Sequence, residues 1–571
     1  MTAAASPARH AGDAPERHAG PAPAAFLALD RGSATRAAAL VGRIDGAWRL
    51  LASTAVPAGG DASALDDLLV ERVRSADPAL AEEIGLGPRD PDAGGPGQSA
   101  PAAADGAAAA SAAAAVPSLS RLEATSSAAP LAAILATTEA ARARLEADAA
   151  AAGWRTVGAS AEVLDPLAAT RLATRADVTT LLVGTGDPPA ADERDLVGEL
   201  VALAAAVSER RPGTPVVLVG GAAVHAPAFP LDTEVVAVPR PHGDPAADLR
   251  AILAGRRAAP GDARQALVAV AATLAEVLEL RIELLEIGMS GGLRARAVPG
   301  PRAGDPATIA AAEAPIAALG LADGDVELDR VEGWATLGVD RARLRDRLAE
   351  LRLAPWADLG GDGALLRAAA LRAAVERLVA ATDPELGGAA PDLVVLAGGA
   401  WASIPASAAL LVTADALRRP GIVQVAADPA RLLAPLGTIE DPAERARVVR
   451  DLLPDALVPL GTLAIAKGAR GRPAGHLRVS GAGEPMDMDL AAGGLALVDL
   501  PPGQDGVLDL AFRAAVDLGV RGRRFAARAT GGLAGLVVDL RDAPLRLPER
   551  TDERRQVLSR WERALWPERD R

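Results

Sequence analysis

Three short loops set carboxylates and glycines at the ends of apolar strands, where phosphate and metal chemistry is commonly built. The first is DRGSAT at 30–35, in which Asp30 precedes Gly32, Ser33 and Thr35. A strand-end carboxylate beside glycine and hydroxyls can hold hydrated Mg2+ while amides and hydroxyls cradle phosphate. The same residue types also make an ordinary polar turn. The second, EIGMSGG at 286–292, follows Glu286 with Gly288, Ser290, Gly291 and Gly292. Such glycines let the backbone approach a phosphate closely, or simply turn a hairpin. The third, LAGGAWASIP at 396–405, puts Gly398 and Gly399 between a strand and a helix, where they can rest against a nucleotide base and ribose or close any strand-to-helix turn. Nearby, Arg294 and Arg296 can pair with phosphate or stand in solvent. Trp401 can stack on adenine or pack in the core, whereas Trp334 and Trp356 read only as packing residues.

Each loop needs elements to hold it. Around the first, the pattern predicts strands over 26–29, 37–41 and 48–54, with Asp45 and Gly46 turning the second hairpin. From 120 to about 253, short apolar strands alternate with helical runs such as 131–152 and 192–210, which argues for a parallel sheet covered on both faces. Its strands are expected over 121–125, 156–160, 178–184, 215–219 and 234–238. A helix over 264–280 leads to strands at 282–287 and 293–298 around the second loop. Residues 305–320 and 339–380 read as helical, and a strand–turn–helix unit from 392 carries the third loop, with a further strand over 421–426. After 460 the texture changes to strands punctuated by Gly and Pro, a small β-domain. A closing helix over 549–566 sets Val557, Trp561, Leu565 and Trp566 along one side to dock on it.

Composition narrows the chemistry. Half of the 571 residues are apolar but only 2% are aromatic, so Ala and Leu must fill the core. The absence of cysteine excludes disulfides, thiolate metal sites and cysteine nucleophiles. The histidines (His10, His18, His225, His242, His476) form no pair at metal-ligand spacing. A net charge of −14 with dispersed arginines argues against nucleic acid. Residues 1–23 read as a disordered tail without a signal sequence, and 88–118 as a low-complexity insertion. The uncharged stretch 393–414 reads as strand, glycine turn and helix rather than a membrane span. A cytoplasmic protein with no membrane partner is expected.

Colinearity adds what no single loop carries. Strand–DxGSxT–strand, then xIGxSGG between strands, then hhhLAGGxxxxP is similar to the layout of the actin, sugar-kinase and heat-shock-70 ATPase superfamily. More closely, the chain resembles the glutamate mutase accessory proteins called GlmL or MutL, themselves similar to reactivating factors of adenosylcobalamin enzymes. ALDRGSATRAAAL, LEATSSAAP, VTTLLVGTGD, VVLVGGAA, LLEIGMSGGLRA, PDLVVLAGGAWASIP and VPLGTLAIAKG all fall in the family's order. So does the tail from LAGLVVDL to RWERAL, and the resemblance spans the chain apart from 1–23 and 88–118. It implies an α/β, two-lobed actin-like (ribonuclease H-like) ATPase fold with an added parallel α/β region and a small C-terminal β-domain. The expected divisions are 24–262 for the first lobe and α/β region, 263–458 for the second lobe and 459–571 for the β-domain with its helix.

The resemblance further implies ATP or ADP with Mg between the lobes. Asp30 and Glu286 would be the catalytic carboxylates, with Asp30 on the metal. Gly32, Ser33, Thr35, Gly288, Ser290, Gly291, Gly292, Gly398 and Gly399 would cradle the nucleotide. The implied partners are the subunits of an adenosylcobalamin-dependent mutase of glutamate mutase type. Cobalamin itself is not expected to bind, since His225 and His242 lack the DxHxxG context of cobalamin ligands. The chain departs from the family at Ala34, Arg36 and Ala37, at Glu286 in place of Asp, at 292–294 where Gly-Leu-Arg replaces Thr-Thr-Asp, and at 127–130. Hydrolysis is therefore expected to be weak or lost, making the protein at most a slow ATPase. Two alternatives stand beside the accessory factor: a nucleotide-dead scaffold that binds a partner, and a small-molecule kinase of the same superfamily.

Overall fold

The computed structural model describes residues 24–58, 63–86, 119–126, 130–163, 166–185, 193–238, 245–257, 261–289, 291–302, 304–314, 325–354, 357–386, 388, 390–471, 473–481, 484–541 and 545–566. The tail 1–23, the segment 88–118, the turn 127–129 and Trp356 lie outside them, as do His10, His18 and His242.

The first half is built on β1 (Ala25–Arg31), β2 (Thr35–Ile44), β3 (Ala47–Pro57) and β4 (Ser120–Thr125), in sheet order β3-β2-β1-β4. The three leading strands form an antiparallel meander and β4 returns parallel to β1. Asp45 and Gly46, both at positive φ, make the tight turn between β2 and β3.

Five parallel strands follow, β5 (Leu131–Ala136), β6 (Arg155–Ser160), β7 (Val178–Gly184), β8 (Val216–Val219) and β9 (Val235–Val238), in the order β6-β5-β7-β8-β9. This is the doubly wound order 2-1-3-4-5. Its two cores, one on each face, draw only on residues between Leu131 and Leu253. The chain enters and leaves this region at adjacent points, for Thr125 bridges Asp262 and its amide donates to the Gly261 carbonyl at 2.7 Å.

The second half repeats the first. β10 (Ile282–Ile287), β11 (Gly292–Val298) and β12 (Thr308–Ala314) form an antiparallel meander, and β13 (Leu393–Ala397) and β14 (Gly421–Ala427) add in parallel beyond β10. The strand orders 3-2-1-4 and 3-2-1-4-5 are the ribonuclease H-like pattern twice over, which makes the fold two-lobed and actin-like. The remaining strands are β15 (Val458–Ile465), β16 (Gly475–Ser480), β17 (Met486–Leu490), β18 (Leu495–Val498), β19 (Asp505–Asp517), β20 (Arg521–Thr530) and β21 (Leu536–Asp539). β15, β21 and β18 extend the second half's sheet, while β17-β16-β19-β20 form a separate antiparallel sheet. One core runs across both halves, from Phe26, Val41 and Trp48 through Leu267 and Leu274 to Leu284, Leu436 and Val448. Among the described residues no helix is long and apolar enough to cross a membrane.

Several expectations need correction. The run 131–152 is not one helix: β5 is buried at every residue, and the helix Glu139–Ala151 begins only after Thr138, whose side chain accepts from the Ala141 amide. A continuous apolar run looks alike for a central parallel strand and a buried helix. Within 305–320, Thr308–Ala314 is an edge strand paired with β11, so cross-strand pairing overrides the helix preference of its alanines. The stretch 339–380 holds two helices, Arg341–Leu353 and Gly361–Leu386. The closing helix Thr551–Leu565 buries Leu558 rather than Val557. Leu558 and Trp561 join the core of Leu348 and Leu366, while Leu565 shares a core with Leu495 and Leu497 of β18, so the helix docks on the expected β-region at one strand and not on the separate antiparallel sheet. There Glu562 meets Arg372 at 2.7 Å, Asp415 meets Arg372 at 2.8 Å and Arg541 at 2.7 Å, and Asp539 meets Arg541 at 2.8 Å. Each of these five buried charges has its opposite, as burial of ions requires.

Candidate active cleft

The first loop is the turn between β1 and β2. Asp30 lies near the end of β1, between Ala37 of β2 and Ala124 of β4, and is 7% exposed. Gly32 is required by crowding: a Cβ there would stand 2.7 Å from the Thr35 carbonyl oxygen and 2.8 Å from Arg431 Nη2. The second loop turns β10 into β11, closed by the Gly288 amide donating to the Gly291 carbonyl at 2.9 Å. The third follows β13. Gly398 takes φ +94° because a Cβ would lie 2.6 Å from the Ile287 carbonyl oxygen, which seats this loop on the end of β10.

All three loops open into one cavity of about 290 Å3 between the halves. The first contributes Asp30, Gly32, Ser33 and Thr35, the second Glu286, Gly288 and Gly291, and the third Gly398 and Gly399. Gly292 instead belongs to β11, paired with Ile287 and Ala314. Ser290 lies outside the described residues.

The cavity also holds three arginines that the sequence did not point to. Arg431 follows β14 and adopts φ +56°. Its Nε donates to Asp30 Oδ2 at 2.6 Å, its Nη1 to the Thr35 hydroxyl at 2.6 Å, and its Nη2 to the Thr35 carbonyl at 3.3 Å. Arg264 comes from the first turn of the helix Ala263–Leu278, whose N-cap Asp262 accepts from the Arg264 and Gln265 amides. Its guanidinium lies against Gly291, where a Cβ would collide with it, and 3.6 Å from Glu313. Arg367 is 3% exposed and donates to the Ala357 carbonyl. The segment DPARLL at 428–433 carried the only available signal, a carboxylate and an arginine just past a strand.

Asp428 sits behind Arg431 and accepts the Leu432 and Leu433 amides at 2.9 and 2.8 Å. Burial pushes its carboxyl up to about 6, and the nearby Asp30 charge adds to this, while the two amides and Arg431 pull the other way.

Magnesium does not fit the Asp30 position. Asp30 Oδ2 is engaged by the Arg431 guanidinium, which already stands where a cation on that oxygen would sit, and Oδ1 is buried, which leaves no open oxygen for a hydrated octahedral ion. Among the described residues no group of three or more His, Asp or Glu side chains is placed to hold a metal.

Other expected contacts fall elsewhere. Arg294 is neither at the cavity nor in solvent: it is fully buried, bonding Glu283 at 2.9 Å and Asp383 at 2.7 Å. Arg296 reaches Glu283 at 3.3 Å and the Leu386 carbonyl at 2.7 Å. Trp401 is buried with its Nε1 donating to the Leu285 carbonyl at 3.2 Å, a packing role. Trp334 packs under Leu348 and bonds Glu376 at 2.9 Å.

No family model matches the chain, and no curated protein matches it. Among solved structures, component A of (R)-2-hydroxyglutaryl-CoA dehydratase from Acidaminococcus fermentans is similar over 74% of this chain and 99% of that one, at 10% identity and a TM-score of 0.24. The activator of 2-hydroxyisocaproyl-CoA dehydratase from Clostridium difficile, with bound ADPNP, is similar over 74% and 96%, at 9% identity and a TM-score of 0.25. Scores of this size bear on no functional point, and the fold assignment rests on the strand orders themselves.

Proposed function

We propose that the protein is a nucleotide-binding accessory factor that services a cofactor-dependent enzyme, of the adenosylcobalamin-dependent mutase class that the sequence resembles. The reading is carried by the convergence of the three glycine loops, from two ribonuclease H-like halves, on one cavity. Gly32, Gly288, Gly291, Gly398 and Gly399 let backbone approach a polyphosphate. Ser33 and Thr35 supply hydroxyls, and the arginines supply charge. The carboxylate set that would align a metal and a water for attack is incomplete, so the cleft serves binding rather than rapid hydrolysis. As an accessory factor it needs only that nucleotide and partner enzyme favour different arrangements of the protein.

The test is reactivation. A mutase inactivated with damaged cobalamin, given intact cofactor, should regain turnover when this protein and ATP are both present, and should co-purify with the protein. Reactivation that proceeds equally without nucleotide, or no association with the mutase, would overturn the reading. A second reading, a scaffold without nucleotide, draws on the Asp30–Arg431 pair and is the one that would then stand.

A further inference from the structure

Arg431 stands beside Asp30, where a metal-dependent cleft keeps its cation, and we infer that this guanidinium takes the cation's place: the cleft binds a nucleoside diphosphate or triphosphate free of divalent metal. The inference rests on the nucleotide reading above and adds the charge state of the ligand.

Charge is the first ground. Among the described residues the cavity is lined by two carboxylates, Asp30 and Glu286, against three guanidiniums, Arg264, Arg367 and Arg431. Guanidiniums in excess of carboxylates can neutralise a polyphosphate without a metal, each pairing phosphate oxygens directly. The excess of cations is the more notable because the whole chain carries −14.

Geometry is the second. Arg431 is pre-organised by its own left-handed backbone, by its amide donating to the Asp428 carbonyl at 3.3 Å, and by 2.6 Å bonds to Asp30 and Thr35. Its Nη2 carries two hydrogens and makes one long bond, to the Thr35 carbonyl at 3.3 Å. The place a Gly32 Cβ would occupy is 2.8 Å from that nitrogen and is left open. A guanidinium so held presents directed donors to phosphate oxygens, which it pairs in forked geometry. Mg-complexed nucleotide would instead set a second cation against Arg431, with Asp30 already engaged.

Calorimetric titration of ADP and of inorganic pyrophosphate into the wild type, once in EDTA and once in millimolar Mg2+, decides the matter. Saturable binding in EDTA is expected, unchanged or weakened by Mg2+. Arg431→Gln should weaken binding in EDTA about tenfold or more, the loss of a charge-assisted pair, with Arg431→Lys between the two. The variant leaves Asp30 buried without its partner, so circular dichroism must accompany it, but the wild-type comparison stands without any variant. Binding that appears only with Mg2+ overturns the inference and leaves the nucleotide reading intact. No binding under either condition overturns both.

Discussion

Asp428 is the residue whose chemistry most directly reports on the cleft. Its carboxyl, raised to about 6 by burial and by Asp30, holds a proton in the folded chain at pH values where the unfolded chain has released it. The native state then binds more protons than the unfolded state between roughly pH 4 and 6, so this contribution to stability is full below the unfolded value, about 3.9, and lost as pH rises through the folded one. Asp428→Asn should remove it. Denaturant unfolding from pH 5 to pH 7.5 should cost the wild type about 1–2 kcal/mol more than the variant, and equal losses in both would refute the assignment. At this scale the sequence was half legible. Asp30, Glu286 and the loop glycines stand out because strand ends and glycine spacing mark them. Arg264, Arg367 and Arg431 do not, because in a chain where arginine is almost the only cation an arginine carries no positional signal.

Among the elements, the short helix Leu433–Gly437 fixes the direction from which Arg431 reaches the first loop. It lies so close on the helix Ala263–Leu278 that a Cβ on Gly437 would collide with the Ala266 backbone. Gly437→Ala should therefore destabilise the chain by about 2 kcal/mol, as overpacking against a rigid neighbour does. It should also weaken ADP binding by displacing Arg431. An unchanged melting temperature would show that the two helices can part freely. The hairpins of both halves were legible from alternation and turn residues, Asp45 and Gly46 above all. β5 and β12 were not, since LAAILA has no period to read and TIAAAEA has the composition of a helix. In each case the deciding term is a neighbour strand, which no local window contains.

For the whole molecule, the repeated strand order was legible only through the family resemblance, because it lies in which strands pair and not in what any one of them contains. The common core through Phe26, Leu274 and Leu436 ties the halves together, whereas the inserted parallel sheet keeps cores of its own. Replacing residues 127–260 by a flexible link of about five residues should therefore leave the remainder folded and able to bind ADP. Calorimetry of the full chain should show the insertion melting as a separate transition. A link-replaced chain that does not fold would show the insertion to be part of the host. The two stems of that insertion end on the cleft: Ser126 lines it, and Asp262 stands two residues before Arg264. Anything that grips the inserted sheet thus tugs on the cavity wall through a pair of covalent tethers, beside the contact of the helix Glu139–Ala151 with β12. By reciprocity, a ligand in the cavity tugs back along the same two strings. Among the described residues none of the insertion lines the cavity, so it is a handle joined to the pocket through its stems.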